Sequence, residues 1–221
     1  MNVVEAILSR RTIRAFRPDP VDKDTVMRIL EAANQAPSWA NTQPWEVFVA
    51  TGEVLERLRV GYLARLEQGV APRFDLEPVQ HWPAAHQKRI EALQGTRLKL
   101  LGLDPEAPET RQAMARYNYS FFGAPVVVYL CMDRSLNPWS LFDLGSFAQS
   151  LMLAAREYGL DSAPAVNLVA YPDLIRAELG IPEELAVVIG VALGRADADA
   201  LINRFRSTRR PLAEVVRLFG W

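Results

Sequence analysis

The 221-residue chain is half hydrophobic, enough apolar surface for a substantial core in one domain or at most two small ones, which excludes disorder over its length. Its 25 basic and 26 acidic residues leave a formal charge of −1, so no whole-molecule field draws it to nucleic acid or anionic lipid, and an anion site has to be local. The lone cysteine, Cys131, excludes an internal disulfide; inside the apolar run VVVYLCM it reads as a core thiol suited to a reducing cytoplasm.

From the N-terminus, VVEAILSRR predicts a short helix with Val3, Val4, Ile7 and Leu8 on one side and Arg10 and Arg11 at its end. No apolar stretch before Arg10 has the length of a signal peptide. Asp22 caps a second helix, KDTVMRILEAANQA, with Val26, Ile29, Leu30 and Ala33 as its buried stripe and Pro37 as its stop. In NTQPWEVFVAT the alternation of Trp45, Val47 and Val49 predicts a strand, after which Thr51 restarts a helix through GEVLERLRVGYLARLEQG. APVVVYLCM and LAVVIGVALG are β-branched and uncharged, as strands buried on both faces are. Between them SLFDLGSFAQSLMLAAREYG predicts a long core helix ended by Gly159; its uncharged portion falls short of the ~18 residues of a membrane span. In YPDLIRAELGIP, Pro172 suits a first helical turn and Gly180 a left-handed cap. The pattern is α+β, a single domain over 1–221.

Residues 70–115 depart from this regularity. They hold five of the fifteen prolines, both histidines and no strand pattern, as a helical insertion or lid does. His81 and His86 have no cysteine nearby and no HExxH spacing, so no metal site is expected. Asp197 and Asp199 read as turn carboxylates. Serine-hydrolase, P-loop and dinucleotide-fold signatures are absent.

What remains is arginine. RRTIRAFRP holds Arg10, Arg11, Arg14 and Arg17, and NRFRSTRRPL holds Arg204, Arg206, Arg209 and Arg210. Solvated helix faces and carboxylate pairing are the plain explanation. The functional one is convergence on a phosphate, which planar bidentate guanidinium groups suit, with Thr12, Ser207 and Thr208 as hydroxyl donors. A nucleic-acid footprint would bring excess positive charge and basic groups spread along a face with exposed aromatics, and neither is visible.

These residues resemble the FMN-dependent nitroreductases. The anchors occur in that family's order over most of the chain: SRRTIRAF, APSWANTQPW, NYSFFGAPVVV, DLGSFAQSLMLAAREYGLDSAP and GVALGRADADALINRFRSTRRPLAEVV. Trp39 stands where the family more often has a small residue. The resemblance implies a nitroreductase-like fold, with a central mixed sheet flanked by helices. It also implies a homodimer holding FMN at the subunit interface, in contact with both chains.

By the same resemblance, Arg10 and Arg209 contact the flavin phosphate with Arg11 and Thr12 beside them, and Arg14 lies toward the pyrimidine edge. Pro37, Ser38 and Asn41 approach the flavin from the partner subunit, Trp39 belongs to the cofactor site with them, and Arg206 is a further candidate. Pro164, Ala165 and Val166 offer backbone groups near the reactive N5. Gln43 and Trp45 either join the site or pack the turn and strand. No protein side chain is catalytic: a nicotinamide cofactor, NADH or NADPH, passes hydride to N5 and leaves, and a nitroaromatic compound or quinone follows in ping-pong order. Phe74, Trp82, Tyr117, Phe121 and Phe122 are candidate stacking surfaces for these molecules or else core. The long insertion and the closing RRPLAEVVRLFGW look most like the branch that reduces nitroaromatics, including nitrobenzoate-like compounds. A same-fold flavoenzyme of azoline oxidation or reductive dehalogenation, or a non-catalytic flavin-binding protein, would share the motifs.

Overall fold

A computed structural model describes residues 1–220; Trp221, the end of the closing motif, lies outside the described residues. The two β-branched runs pair with each other at the centre of the molecule. β1 (Glu46–Thr51), β2 (Val126–Asp133), β3 (Asp161–Ala165) and β4 (Leu185–Gly194) form one sheet in the order β1-β2-β4-β3, every ladder antiparallel. The parallel component of the expected mixed sheet is a single bridge, Thr12 to Ser162. β3 escapes sequence reading because it is five residues long and contains Pro164, tolerated only because this strand lies at the sheet edge.

Alternate side chains of β2 leave on opposite faces and are buried on both, so the sheet is sandwiched between two apolar layers. Val127, Tyr129 and Cys131 join Leu55, Leu58 and Tyr62 of α3 (Gly52–Glu67) and Ile175 of α7 (Pro172–Leu179). Val128 and Leu130 join Val26, Ile29 and Ala33 of α2 (Lys23–Ala33) and Phe147 and Leu151 of α6 (Pro138–Glu157). Cys131 is the expected core thiol, and burial pushes its pKa up to about 12. The capping expectations hold at both ends tested: Asp22 Oδ1 accepts from Thr25 N at 2.8 Å, and Gly180 closes α7 at φ 66°.

Two apolar elements stay uncovered. α1 (Val3–Ser9) buries only Ala6, and Val3, Val4, Ile7 and Leu8 all face solvent. α6 is core on one side only: Trp139 and Phe142 are exposed, Phe142 at 72%. Trp39 and, in the C-terminal arm, Leu212, Leu218 and Phe219 are exposed as well.

The 70–115 segment supplies α4 (Ala84–Leu101) and α5 (Pro108–Tyr119). α4 has no buried residue and lies against the turn at Leu201–Arg204. The base of the segment is fastened by Asp75, whose carboxylate accepts from Arg134 Nη2, Arg176 Nη2 and Val187 N, each at 2.8 Å. Burial works to raise the Asp75 pKa, but the two guanidinium groups and the amide outweigh it and hold the carboxyl below its ordinary value. Asp75→Ala leaves the buried Arg176 with Leu185 O and the exposed Glu183 as its partners, and with half-exposed Arg134 able to resolvate we expect a loss of ~2 to 3 kcal/mol. Since the folded-state value is the lower one, this stabilisation is full above pH ~4 and disappears as pH falls through the folded-state value. Denaturant melts of wild type and variant should therefore differ at pH 7 and converge in acid.

Candidate active site

The chain termini meet through one buried asparagine. Asn203 Oδ1 accepts from Arg14 N at 2.9 Å and Ala15 N at 3.2 Å, while its Nδ2 donates to Ala15 O at 2.7 Å and Asp197 O at 2.8 Å. Asp197 N donates to Ala15 O at 2.9 Å, and Ile13 N donates to Ser162 O at 3.0 Å. The N-terminal arginine segment is thus laid beside β3 and locked to the start of the C-terminal one. Asp197 Oδ1 accepts from Asp199 N, the turn role expected of this pair.

A cavity of about 620 Å3 results, lined by Arg10, Arg11, Thr12, Arg14, Arg206 and Arg209. Ile7, Leu8 and Ser9 at the end of α1, Phe205 and Ser207 from the C-terminal segment, Leu93 of α4 and Gln149 of α6 complete its wall. Among the described residues, none of these five arginines pairs with a carboxylate, whereas Arg17 pairs with Asp19 at 2.6 Å and Arg210 with Glu214 at 3.2 Å. Arg10 Nε is buried without a hydrogen-bond partner, and burial together with the Arg209 charge lowers the Arg10 pKa. Arg206 Nη1 donates to Asn203 O and Phe205 O, and Arg209 Nη1 to Ser207 Oγ and Thr208 O. Those neutral acceptors aim the guanidinium groups while leaving their charges uncompensated. Converging, partly desolvated cations with no acid among them constitute an anion site.

Arg14 is held deeper. Burial lowers its pKa first and the charge of Arg97, on α4, lowers it further. Tyr117 is also near Arg14, its hydroxyl buried and unpartnered and its pKa pushed up to about 12 by burial, against the opposing charge of Arg14. The Tyr117 ring meets Phe122 edge-on at 5.9 Å.

The other expected site residues are spread out. Trp82, stacked on His86, borders a second cavity of about 570 Å3 that shares Arg206, Ser207 and Arg209 with the first. Phe122 is buried, and Phe121 is fully buried against Tyr62 at 4.8 Å, core in both cases. Phe74 packs on the core and lines a cavity with Asp75 and Arg134, apart from the arginines. Pro164 and Ala165 end β3, and Val166, which follows, is exposed.

Pro37, Ser38 and Trp39 line a separate apolar cavity of about 490 Å3 with Trp139, Phe142 and Asp143. Asn41 is exposed on the same turn. Ser38 Oγ accepts from Gln43 N at 2.9 Å and buried Asp143 accepts from Trp39 N at 3.2 Å, holding Ala40, Asn41 and Gln43 at positive φ. Phe121 and Phe122 are the other non-glycine residues in that region, so backbone strain concentrates in two of the five motifs. Trp45 packs on Phe147 and donates to Asn34 Oδ1 at 2.9 Å, a packing role.

Sequence reasoning missed Asn203, Gln149 and Arg97. A glutamine in an apolar helix was the one signal available for Gln149; the other two look like ordinary surface residues in sequence.

The model of the "Nitroreductase family" matches residues 7–195, most of the chain up to but not including the C-terminal arginine segment. The chain belongs to the nitroreductase family. This nitroreductase is 35% identical to the nitroreductase NfnB of Mycolicibacterium smegmatis, over 96% of this chain and 90% of that one. It is 34% identical to a 4-nitrobenzoate reductase of Pseudomonas putida, over 97% and 94%. The crystal structure of an FMN and NADPH-dependent nitroreductase NfnB from Sphigopyxis sp. strain HMH superposes with a TM-score of 0.95 at 33% identity, covering 100% of both chains. The nitroreductase fold expected from the motifs is therefore this chain's fold.

Proposed function

We propose that this nitroreductase holds FMN and uses NAD(P)H to reduce nitroaromatic compounds or quinones. The observation that supports this most is the arginine cavity, whose uncompensated charges match a flavin phosphate, on a chain similar along its length to FMN- and NADPH-dependent nitroreductases. Arg10 and Arg209 are assigned to the phosphate, with Arg11, Thr12 and Arg206 beside them, and Arg14 to the pyrimidine edge. FMN supplies the hydride-accepting ring on which reductant and oxidant act in turn. Pro164, Ala165 and Val166 present backbone at the reacting edge.

The molecule works as a homodimer in this reading. Pro37, Ser38, Trp39 and Asn41 lie away from the arginine cavity of their own chain, which suits their supply by a second copy, and the uncovered faces of α1, α6 and the C-terminal arm suit its docking. Residues 1–221 act as one domain with 70–115 as its lid, in which Trp82 and Tyr117 flank the entrance for the aromatic reactants. Among the described residues no helix is long and apolar enough to cross a membrane. We place the protein in the cytoplasm on its single, buried, unpaired cysteine.

The test is an anaerobic titration of the purified protein with NADH and then NADPH, with p-nitrobenzoate or a quinone added afterwards. A flavin spectrum that bleaches with reductant and returns with acceptor is expected, with parallel initial-velocity lines for ping-pong turnover. Flavin that neither nucleotide reduces would make this a binding protein, and a colourless protein that takes up no FMN would remove the reading. Arg14→Ala should lower the flavin reduction potential more than it weakens FMN binding, because a cation at the pyrimidine edge stabilises the charge that reduction adds. An unchanged potential would displace Arg14 from that edge.

A further inference from the structure

α4 and α5 enclose a cavity of about 730 Å3 that adjoins the turn carrying Asn167, directly after the proposed reacting edge at Ala165 and Val166. Its ionised groups divide by depth. Glu91, Glu106 and Arg111 are exposed at the rim, and Glu91 is already engaged by Gln87 at 2.9 Å. Deeper lie Met114, Asn118, Asn167 and a single charge, Arg97, all half-buried. Arg97 Nε is buried without a hydrogen-bond partner, and among the described residues no carboxylate pairs with its guanidinium. Arg97 stands one helical turn after Leu93, which lines the arginine cavity, so both project from one side of α4.

A desolvated cation beside another cation is unfavourable by itself, and burial indeed lowers the Arg97 pKa. Phosphate binding already has its own five arginines, and none of them lines this cavity. The geometry points to Arg97 as a specificity-determining residue that binds the carboxylate of an aromatic acid, so that the lid selects anionic nitroaromatic acceptors over neutral ones. This rests on the function proposed above. At about 730 Å3 the cavity has the volume for a benzoate-sized ring, its wall carries both Arg97 and Asn167 next to the proposed reacting edge, and Asn118 and Asn167 are amide donors on that wall.

Two readouts test this on the FMN-loaded protein, comparing wild type, Arg97→Gln and Arg97→Lys. The first is kcat/KM for 4-nitrobenzoate and for its methyl ester. The second is the Kd of benzoate, a carboxylate that cannot be reduced, from its perturbation of the oxidised flavin spectrum. A charge-assisted contact predicts that Arg97→Gln lowers the acid-to-ester ratio of kcat/KM about 10- to 100-fold and weakens benzoate by a similar factor, with partial recovery in Arg97→Lys. Equal losses on acid and ester would overturn the proposal, as would FMN content falling in step. A rise in KM for NADPH but not NADH with benzoate affinity intact would assign Arg97 to the reductant's phosphate and overturn it too. The readouts separate its failure from that of the proposed activity: wild type that binds benzoate yet reduces no nitroarene refutes the activity and supports the site. Wild type that reduces the ester yet ignores benzoate refutes the site alone.

Discussion

Combining Arg10→Ala with Arg209→Ala should raise the Kd for FMN about 100- to 10,000-fold, two charge-assisted contacts at ~1.5 to 3 kcal/mol each. The proposed function sets both residues on one phosphate from opposite ends of the chain, and the charge of Arg209 reaches Arg10 in the folded protein. Arg10 is half-buried with an orphaned Nε, so its removal relieves a cost in the empty protein while depriving the phosphate of a partner. The doubly substituted apoprotein should therefore melt no lower than wild-type apoprotein, although it loses the stabilisation that ligand lends the holoprotein. Flavin fluorescence titration measures the first effect and thermal melts with and without FMN the second. A double variant that retains near-wild-type affinity would place the phosphate elsewhere.

Asn203→Ala should be the more general lesion. It leaves Arg14 N and Ala15 N short of an acceptor and Ala15 O and Asp197 O short of a donor in a region from which water is largely excluded. At ~1 to 3 kcal/mol for each buried group left unsatisfied, and with Ala15 O keeping its bond from Asp197 N, we expect about 3 to 5 kcal/mol of destabilisation. Because Asn203 joins the two arginine segments, FMN affinity should fall as well, although Asn203 does not line the arginine cavity. Asn203→Asp separates the roles, since it keeps the acceptor and loses the donor. Its melting temperature should lie between those of wild type and the alanine variant, and a value equal to wild type would show that the Nδ2 bonds contribute nothing.

The two results differ in how far each residue was legible beforehand. Arg10 and Arg209 stand out in sequence because guanidinium clusters in a neutral chain call for an anion. Asn203 does not: an asparagine after LI in a charged segment is ordinary until the backbone of residues 14 and 15 is known to lie against it. Arg97 is similar, one basic residue on a polar helix whose lack of a partner appears only when neighbouring carboxylates can be checked.

The sheet centre, the α2 cap, the Gly180 stop, the absence of an internal disulfide and the motif order that marks a nitroreductase are all legible in the residues alone. Those are properties of local periodicity, of capping chemistry and of residue type at fixed spacing, and they need no distant contact to be read. That β3 is a strand emerges from packing, since an edge position is what admits Pro164. The tertiary structure alone separated core from site among the aromatics, because whether Phe121 faces a ligand or Tyr62 depends on what packs opposite. It likewise showed that the apolar face of α1, which amphipathic spacing marks as buried, is exposed on this chain. The convergence of residues 10–14 with 203–209 is the largest such decision, for it depends on side-chain hydrogen bonds between segments nearly two hundred residues apart.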